Sequence, residues 1–428
     1  MPTSATLIPL QPFTPDLRER AWCSTPHPTL PLLATAHAKS VTVFSLSSLS
    51  IHSTLTGGHS RSVRSVAWKP GLPSGKLCLV TGSFDSTAGI WRWEGEQGGE
   101  DGAGLEVEIT AKTTRKKEDD SDGEEGDKDW EFTLVLEGHD SEIKSCAFSP
   151  AGAHLATCSR DKSLWIWEDI GATEADDEWE TIAVLSEHDG DVKAVAWCPD
   201  VPGRNKLRSY GSDVLASASY DDTVRIWRED SDGEWVCVAV LEGHGATVWG
   251  MQWEGKPRPD DKFPRLMTFS ADGTIRVWEL KEEKPDDAGA PMTFGGIPNT
   301  MRSSLKEEWS CVATLPSVHE KDIYSVAWSA ETGLVASTGS DGIVALYSED
   351  ETAPAAADAE GDQAMANTSA GAWKLLSKME NAHGPYEVNH VTWCKRFDAG
   401  AGDRKGVEEM LVSTGDDGVV RPWAVQTS

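Results

Sequence analysis

Leu155-Ala-Thr-Cys-Ser-Arg-Asp-Lys-Ser-Leu-Trp-Ile-Trp-Glu168 decides the fold. An apolar run carries Thr157, a polar turn carries Asp161, and a second run returns to Trp167, six residues beyond the Asp. Short runs around a tight Asp turn are a hairpin signature. Upstream stands His139 in Gly138-His139, followed by the run Ile143-Lys-Ser-Cys-Ala-Phe148.

The same unit recurs, and recurrence of a whole unit outweighs any single motif. The Asp-x5-aromatic pairs are Asp85/Trp91, Asp161/Trp167, Asp221/Trp227, Asp272/Trp278, Asp341/Tyr347 and Asp417/Trp423. Four residues before each Asp lies a hydroxyl: Thr81, Thr157, Ser217, Thr268, Ser337 or Ser413. Each unit has its histidine: His59, His139, His188, His244, His319 or His383. A seventh, degenerate unit opens the chain, with Ala38 and Phe44 in the Asp and Trp places. A further Trp precedes five of the histidines: Trp130, Trp179, Trp235, Trp309 and Trp373. Each unit thus reads as four short strands, and four strands repeated about an axis make a propeller blade.

The spacing resembles that of the WD-repeat family and implies an all-β, seven-bladed β-propeller over residues 1–428. In that family an N-terminal strand closes the ring. Leu7-Ile8-Pro9-Leu10 is the candidate here, and Pro9 confines it to an edge. Taken once, His139, Thr157 and Asp161 look like a catalytic triad. Taken six times, they read as a structural device, and the resemblance implies a hydrogen-bond chain from Trp to Ser/Thr to His to Asp in each blade.

Composition narrows the function. The net charge of −31 argues against nucleic acid and against an anionic membrane surface. The eight cysteines include no Cys-x-x-Cys pair, and the histidines belong to separate blades, so no metal, cluster or other cofactor is expected. No run reads as a signal peptide or a membrane span, which implies a reducing compartment. The excess over seven repeats falls in polar insertions at 94–129, 279–308, 349–372 and 398–409. The first holds 14 acidic and 5 basic residues, net −9, a composition that cannot bury a core and implies disorder. Within it, Leu105–Ile109 alternates like a strand extension. Arg115-Lys116-Lys117 and Ser121 are weak import and kinase signals.

Two sets of positions should share one face. The residues just before the turn Asp, expected to be exposed, are His37, Phe84, Arg160, Tyr220, Ala271, Ser340 and Asp416. Those second in the strand after the His turn are Arg64, Lys144, Lys193, Trp249, Tyr324 and Asn389. Arg64, Phe84, Lys144, Arg160, Lys193, Tyr220 and Trp249 form a basic and aromatic patch suited to protein partners, with Arg160 expected at its centre.

Particular runs point further. GSFDST (Gly82–Thr87), EHDGDVKAVAW (Glu187–Trp197), LASASYDDTVRIW (Leu215–Trp227), WVCVAVLEGHGATVW (Trp235–Trp249), VHEKDIYSVAW (Val318–Trp328) and GDDGVVRPW (Gly415–Trp423) occur in this order with the opening run. Together they resemble the WD-repeat protein of the cytosolic iron–sulfur cluster assembly machinery. The resemblance implies a non-catalytic scaffold that helps deliver [4Fe–4S] clusters to cytosolic and nuclear apoproteins. The partners it implies are a MIP18-family assembly factor, a HEAT-repeat adaptor and an iron-only-hydrogenase-like cluster carrier. The long 94–129 insertion, Glu187 in place of the turn Gly and the Asp-less first unit depart from the pattern. The alternatives are a WD-repeat adaptor of another assembly, such as a ubiquitin-ligase substrate receptor, and an enzyme. No unique catalytic constellation supports the enzyme.

Overall fold

Every repeat forms a four-stranded antiparallel sheet, and seven such sheets make the propeller. The computed structural model describes residues 4–95, 130–173, 176–200, 213–230, 232–257, 262–281, 306–350 and 372–428. Most of the insertions expected at 94–129, 279–308 and 349–372 lies outside them, as do Leu105–Ile109, Arg115–Lys117 and Ser121.

Blade three shows the order from axis to rim: Ile143–Phe148, His154–Ser159, Leu164–Asp169, Trp179–Leu185. The innermost strands of blades one to seven are Ala21–Pro26, Val63–Trp68, Ile143–Phe148, Val192–Trp197, Val248–Trp253, Ile323–Trp328 and Val388–Lys395. They contact one another in an unbroken cycle. Burial falls outward. Val214–Ser219, a second strand, is buried at every residue, whereas most of Trp179–Leu185 is not. The second strands are accordingly rich in Ala, Ser, Thr and Val, small enough to pack where blades converge.

Adjacent blades are also stitched by hydrogen bonds. Indole N–H groups at the ends of inner strands donate to carbonyls of the preceding blade: Trp68 to Thr25 (2.9 Å), Trp197 to Ala147 (2.9 Å), Trp253 to Ala196 (3.0 Å) and Trp393 to Ala327 (3.0 Å). Trp thus adds a directional bond to its buried area.

The ring closes through Ala5–Pro9, antiparallel to Val420–Thr427, with Ala5 opposite Thr427 and Pro9 opposite Trp423. The strand begins two residues before the expected Leu7, and Pro9 ends it on the outer edge, where no further strand needs its missing N–H. The expected insertion at 398–409 contains a short 3-10 helix, Ala399–Arg404, capped by Asp398, whose carboxylate also holds Arg396 (2.6 Å).

In six blades the turns at one end, here the top, are tied by one network. In blade three the Asp161 carboxylate accepts from His139 Nδ1 (2.8 Å), His139 Nε2 meets the Thr157 hydroxyl (2.9 Å), and Trp167 donates to the same hydroxyl (3.1 Å). Equivalent chains join His59, Thr81, Asp85 and Trp91; His188, Ser217, Asp221 and Trp227; His244, Thr268, Asp272 and Trp278; and His383, Ser413, Asp417 and Trp423. In blade six His319 joins Ser337 and Asp341, but Tyr347 stands 3.4 Å from the Ser337 hydroxyl, a weaker link. Blade one, without the His and Asp, is braced by residues 10–20. Phe13, fully buried, packs against Phe44, and the Phe13 and Leu17 N–H groups bond Val420 and Gly418 of blade seven.

Candidate functional site at the top of the axis

The inner strands follow one pattern: an apolar residue, a variable residue, then a return to alternation. The ladder does not pair the variable residue. Pairing steps from Val63 to Ser65, Ile143 to Ser145, Val192 to Ala194, Val248 to Gly250, Ile323 to Ser325 and Val388 to His390. Blade one repeats the step, from Ala21 to Cys23. A bulge frees one residue from the pleat and re-aims its side chain. Seven bulges at one level therefore send seven side chains toward the axis: Trp22, Arg64, Lys144, Lys193, Trp249, Tyr324 and Asn389.

All seven line one cavity of about 260 Å3, joined by Arg20, Phe84 and Glu387. Four cations share it with aromatic faces. Arg20 and Arg64 lie 4.8 and 5.0 Å from the Trp22 ring, and Lys144 lies 4.4 Å from Phe84. Lys193 lies 5.4 Å from Trp249, which meets Tyr324 edge-on at 5.3 Å. Such contacts hold a cation at an apolar wall without neutralising it.

The residue before each inner strand sets the counter-charge. It is Glu142, Asp191, Asp322 and Glu387 in blades three, four, six and seven. Glu142 accepts from Lys144 (2.6 Å) and Asp191 from Lys193 (3.2 Å). Asp322 accepts from the Trp249 indole (3.0 Å) and Glu387 from the Tyr324 hydroxyl (3.3 Å). Burial, with Glu387 and Asp322 nearby, pushes that hydroxyl up to about 12. Blade two has Ser62 at this place and blade one has Arg20, which pairs with Asp416. Arg64 therefore has no acid of its own. Among the described residues its guanidinium makes no hydrogen bond and no ion pair, and it lies against the Trp22 ring. Burial draws its pKa below the ordinary arginine range, and Arg20 adds to the effect.

The expected patch is only partly in this cavity. Arg64, Lys144, Lys193, Trp249 and Phe84 line it. Arg160 and Tyr220 lie outside its walls. The Arg160 side chain is 59% exposed, its nitrogens 3.9 Å from Glu142 and 4.0 Å from Asp191. Tyr220 is exposed, with Lys193 5.3 Å from its ring. Arg64 lies in the cavity wall, whereas Arg160 stands outside it, because Arg160 sits on a turn tip and Arg64 on a bulge. Of the seven turn tips expected to be exposed, only Arg160 and Tyr220 are; Phe84 is half-covered by Trp22, Arg61 and Lys144. Sequence reasoning missed Trp22, Arg20 and Glu387. Blade one has no His turn to mark its inner strand, yet Ala21-Trp22-Cys23 matches Val63-Arg64-Ser65.

Six of the eight cysteines are buried, with Cys237 half-buried and Cys311 exposed. Burial pushes the thiols of Cys78 and Cys146 up to about 12, so at neutral pH they are protonated rather than the thiolates that ligate metal.

Repeated blades, the His–hydroxyl–Asp–Trp chains and an axial cavity define a WD-repeat β-propeller. The family model described as "WD domain, G-beta repeat" matches residues 46–92, 130–168, 179–228, 235–279 and 309–348. Over nearly its whole length the chain is also similar to fungal proteins named "Probable cytosolic iron-sulfur protein assembly protein 1". That of Pyricularia oryzae is 62% identical, over 98% of this chain and 96% of its own. That of Neurospora crassa is 59% identical, over 99% and 96%, and that of Penicillium rubens 42% identical, over 99% and 100%. The chain belongs to this cytosolic iron-sulfur protein assembly protein 1 family of WD-repeat propellers.

Proposed function

We propose that the chain is a non-catalytic scaffold of the late step of cytosolic iron–sulfur protein assembly. It acts in the cytoplasm and also in the nucleus, holding partners while [4Fe–4S] clusters pass to apoproteins. The partners are a MIP18-family assembly factor, a HEAT-repeat adaptor, an iron-only-hydrogenase-like cluster carrier and the iron–sulfur apoprotein clients. Membership of the family named for this assembly supports the pathway.

The observation that supports a binding role is the convergence of Arg64, Lys144, Lys193, Phe84 and Trp249 on one top-face cavity, with Arg160 and Tyr220 on its rim. Aromatic and arginine side chains dominate protein interfaces. This basic centre on a chain of net charge −31 suits an acidic segment or a C-terminal carboxylate. Affinity purification of the full chain from its native cells tests the reading. Co-purification of the cluster-assembly factors is expected. Recovery of cullin adaptors instead would move the chain to the ubiquitin-ligase receptors.

A further inference from the structure

We propose that the axial cavity is a binding site for a small phosphate-bearing molecule, with Arg64 as its central contact. Four cations, Arg20, Arg64, Lys144 and Lys193, surround about 260 Å3. Three have a carboxylate partner: Asp416, Glu142 and Asp191 respectively for Arg20, Lys144 and Lys193. Arg64 has none among the described residues, because Ser62 stands where blades three and four place an acid. A partly buried cation without a counter-charge is a cost in the free protein. Its five donors are open to an anion.

The cations also oppose one another. Burial draws the Lys144 ammonium below its ordinary range, and Lys193 and Arg64 add to the shift. Mutual repulsion of this kind is relieved most by an anion of more than one charge. A phosphate group carries nearly two charges and three strong acceptor oxygens, enough to meet Arg64 and still draw on Lys144 and Lys193. Trp22, Trp249 and Tyr324 give flat apolar walls for the organic part of an ester. The volume lies below the roughly 300–1,000 Å3 of ordinary ligand sites, which suits a small phosphoester or pyrophosphate. Glu387 lines the cavity, and Glu142, Asp191 and Asp322 bond its wall residues Lys144, Lys193 and Trp249; this many acids beside the site disfavours a long polyanion.

The cavity is the one the proposed function offers to an acidic segment or a C-terminal carboxylate, so the two occupants compete for it; the test uses the isolated chain, whose binding of pyrophosphate does not depend on the identity of that partner. Calorimetric titration of the purified full chain with pyrophosphate at low ionic strength tests it. One saturable site is expected. Arg64→Met should weaken it about tenfold or more, the worth of a lost charge-assisted contact. Arg404→Met, on the exposed 3-10 helix, should leave it unchanged. Loss of a repelled cation should not lower the melting temperature of the Arg64 variant. If it does, Lys193→Met serves in its place and must also weaken binding. Absence of saturable binding, or unaltered affinity in the cavity variant, overturns the proposal. A second arm uses a short phosphoserine peptide. Tighter binding of the peptide than of pyrophosphate would overturn the small-molecule source in favour of a modified partner.

Discussion

Thr157→Val tests what the repeated His–hydroxyl–Asp–Trp chain is worth. The Thr157 side chain is fully buried and its oxygen serves two neighbours, Trp167 at 3.1 Å and His139 at 2.9 Å. His139 Nδ1 faces the Asp161 carboxylate and so carries a proton, which leaves Nε2 as an acceptor for the Thr157 O–H. Valine keeps the shape but leaves the Trp167 N–H without an acceptor and His139 Nε2 without a donor. Each buried orphan costs about 1–3 kcal/mol. The added methyl returns about 1 kcal/mol of burial. The expected loss is therefore about 3 kcal/mol, read as a fall in the urea midpoint with an unchanged slope, followed by Trp fluorescence. In blade six no indole depends on the hydroxyl, because Tyr347 stands 3.4 Å from Ser337. Ser337→Ala should therefore cost about half as much. A loss below about 0.5 kcal/mol in Thr157→Val, or equal losses in both variants, would refute the assigned donor pattern.

Acid should weaken the ring. Burial alone would raise the carboxyls of Asp85, Asp161, Asp221, Asp272, Asp341 and Asp417, but hydrogen bonds from histidine and the turn outweigh it and hold each below the usual range. A depressed folded value contributes stability present above the unfolded value of about 4 and lost as pH falls through the folded one. Urea midpoints should thus drop below about pH 4, and Asp161→Asn should lower stability at pH 7 while making that drop shallower; an unchanged acid profile would count against the account. Arg160→Glu, at an exposed rim position, should leave the thermal midpoint nearly unchanged while weakening partner capture by about 2 kcal/mol; early unfolding or normal capture would sink its partner role. A Cβ on Gly339 would stand 2.0 Å from the Asp322 carbonyl oxygen, so Gly339→Ala should cost at least about 2 kcal/mol and disturb the adjoining Asp322–Trp249 bond; a wild-type midpoint would show that the turn can yield.

The blades were legible because the network that holds them is written at fixed spacings. A hydroxyl four residues before an Asp, with an aromatic six beyond, survives insertions between units since none falls inside the hairpin. The bulge residues were legible too, for Arg64, Lys144, Lys193, Trp249, Tyr324 and Asn389 all follow the first apolar residue of their strands. Their depth was not, because a strand pattern gives the face of a residue but not its radius. Arg160 and Arg64 look alike in sequence as basic residues of neighbouring blades. One sits on a turn tip and the other on a bulge, and that difference places the first on the rim and the second inside. Nor does either residue reveal its counter-charge alone. That requires reading the preceding position around the ring, where Glu142, Asp191, Asp322 and Glu387 are acids and Ser62 is not. Once the inner strands are aligned on their bulges, the gap at Ser62 is visible in the sequence itself, and it predicts the one cation of the cavity that the described residues leave unpaired.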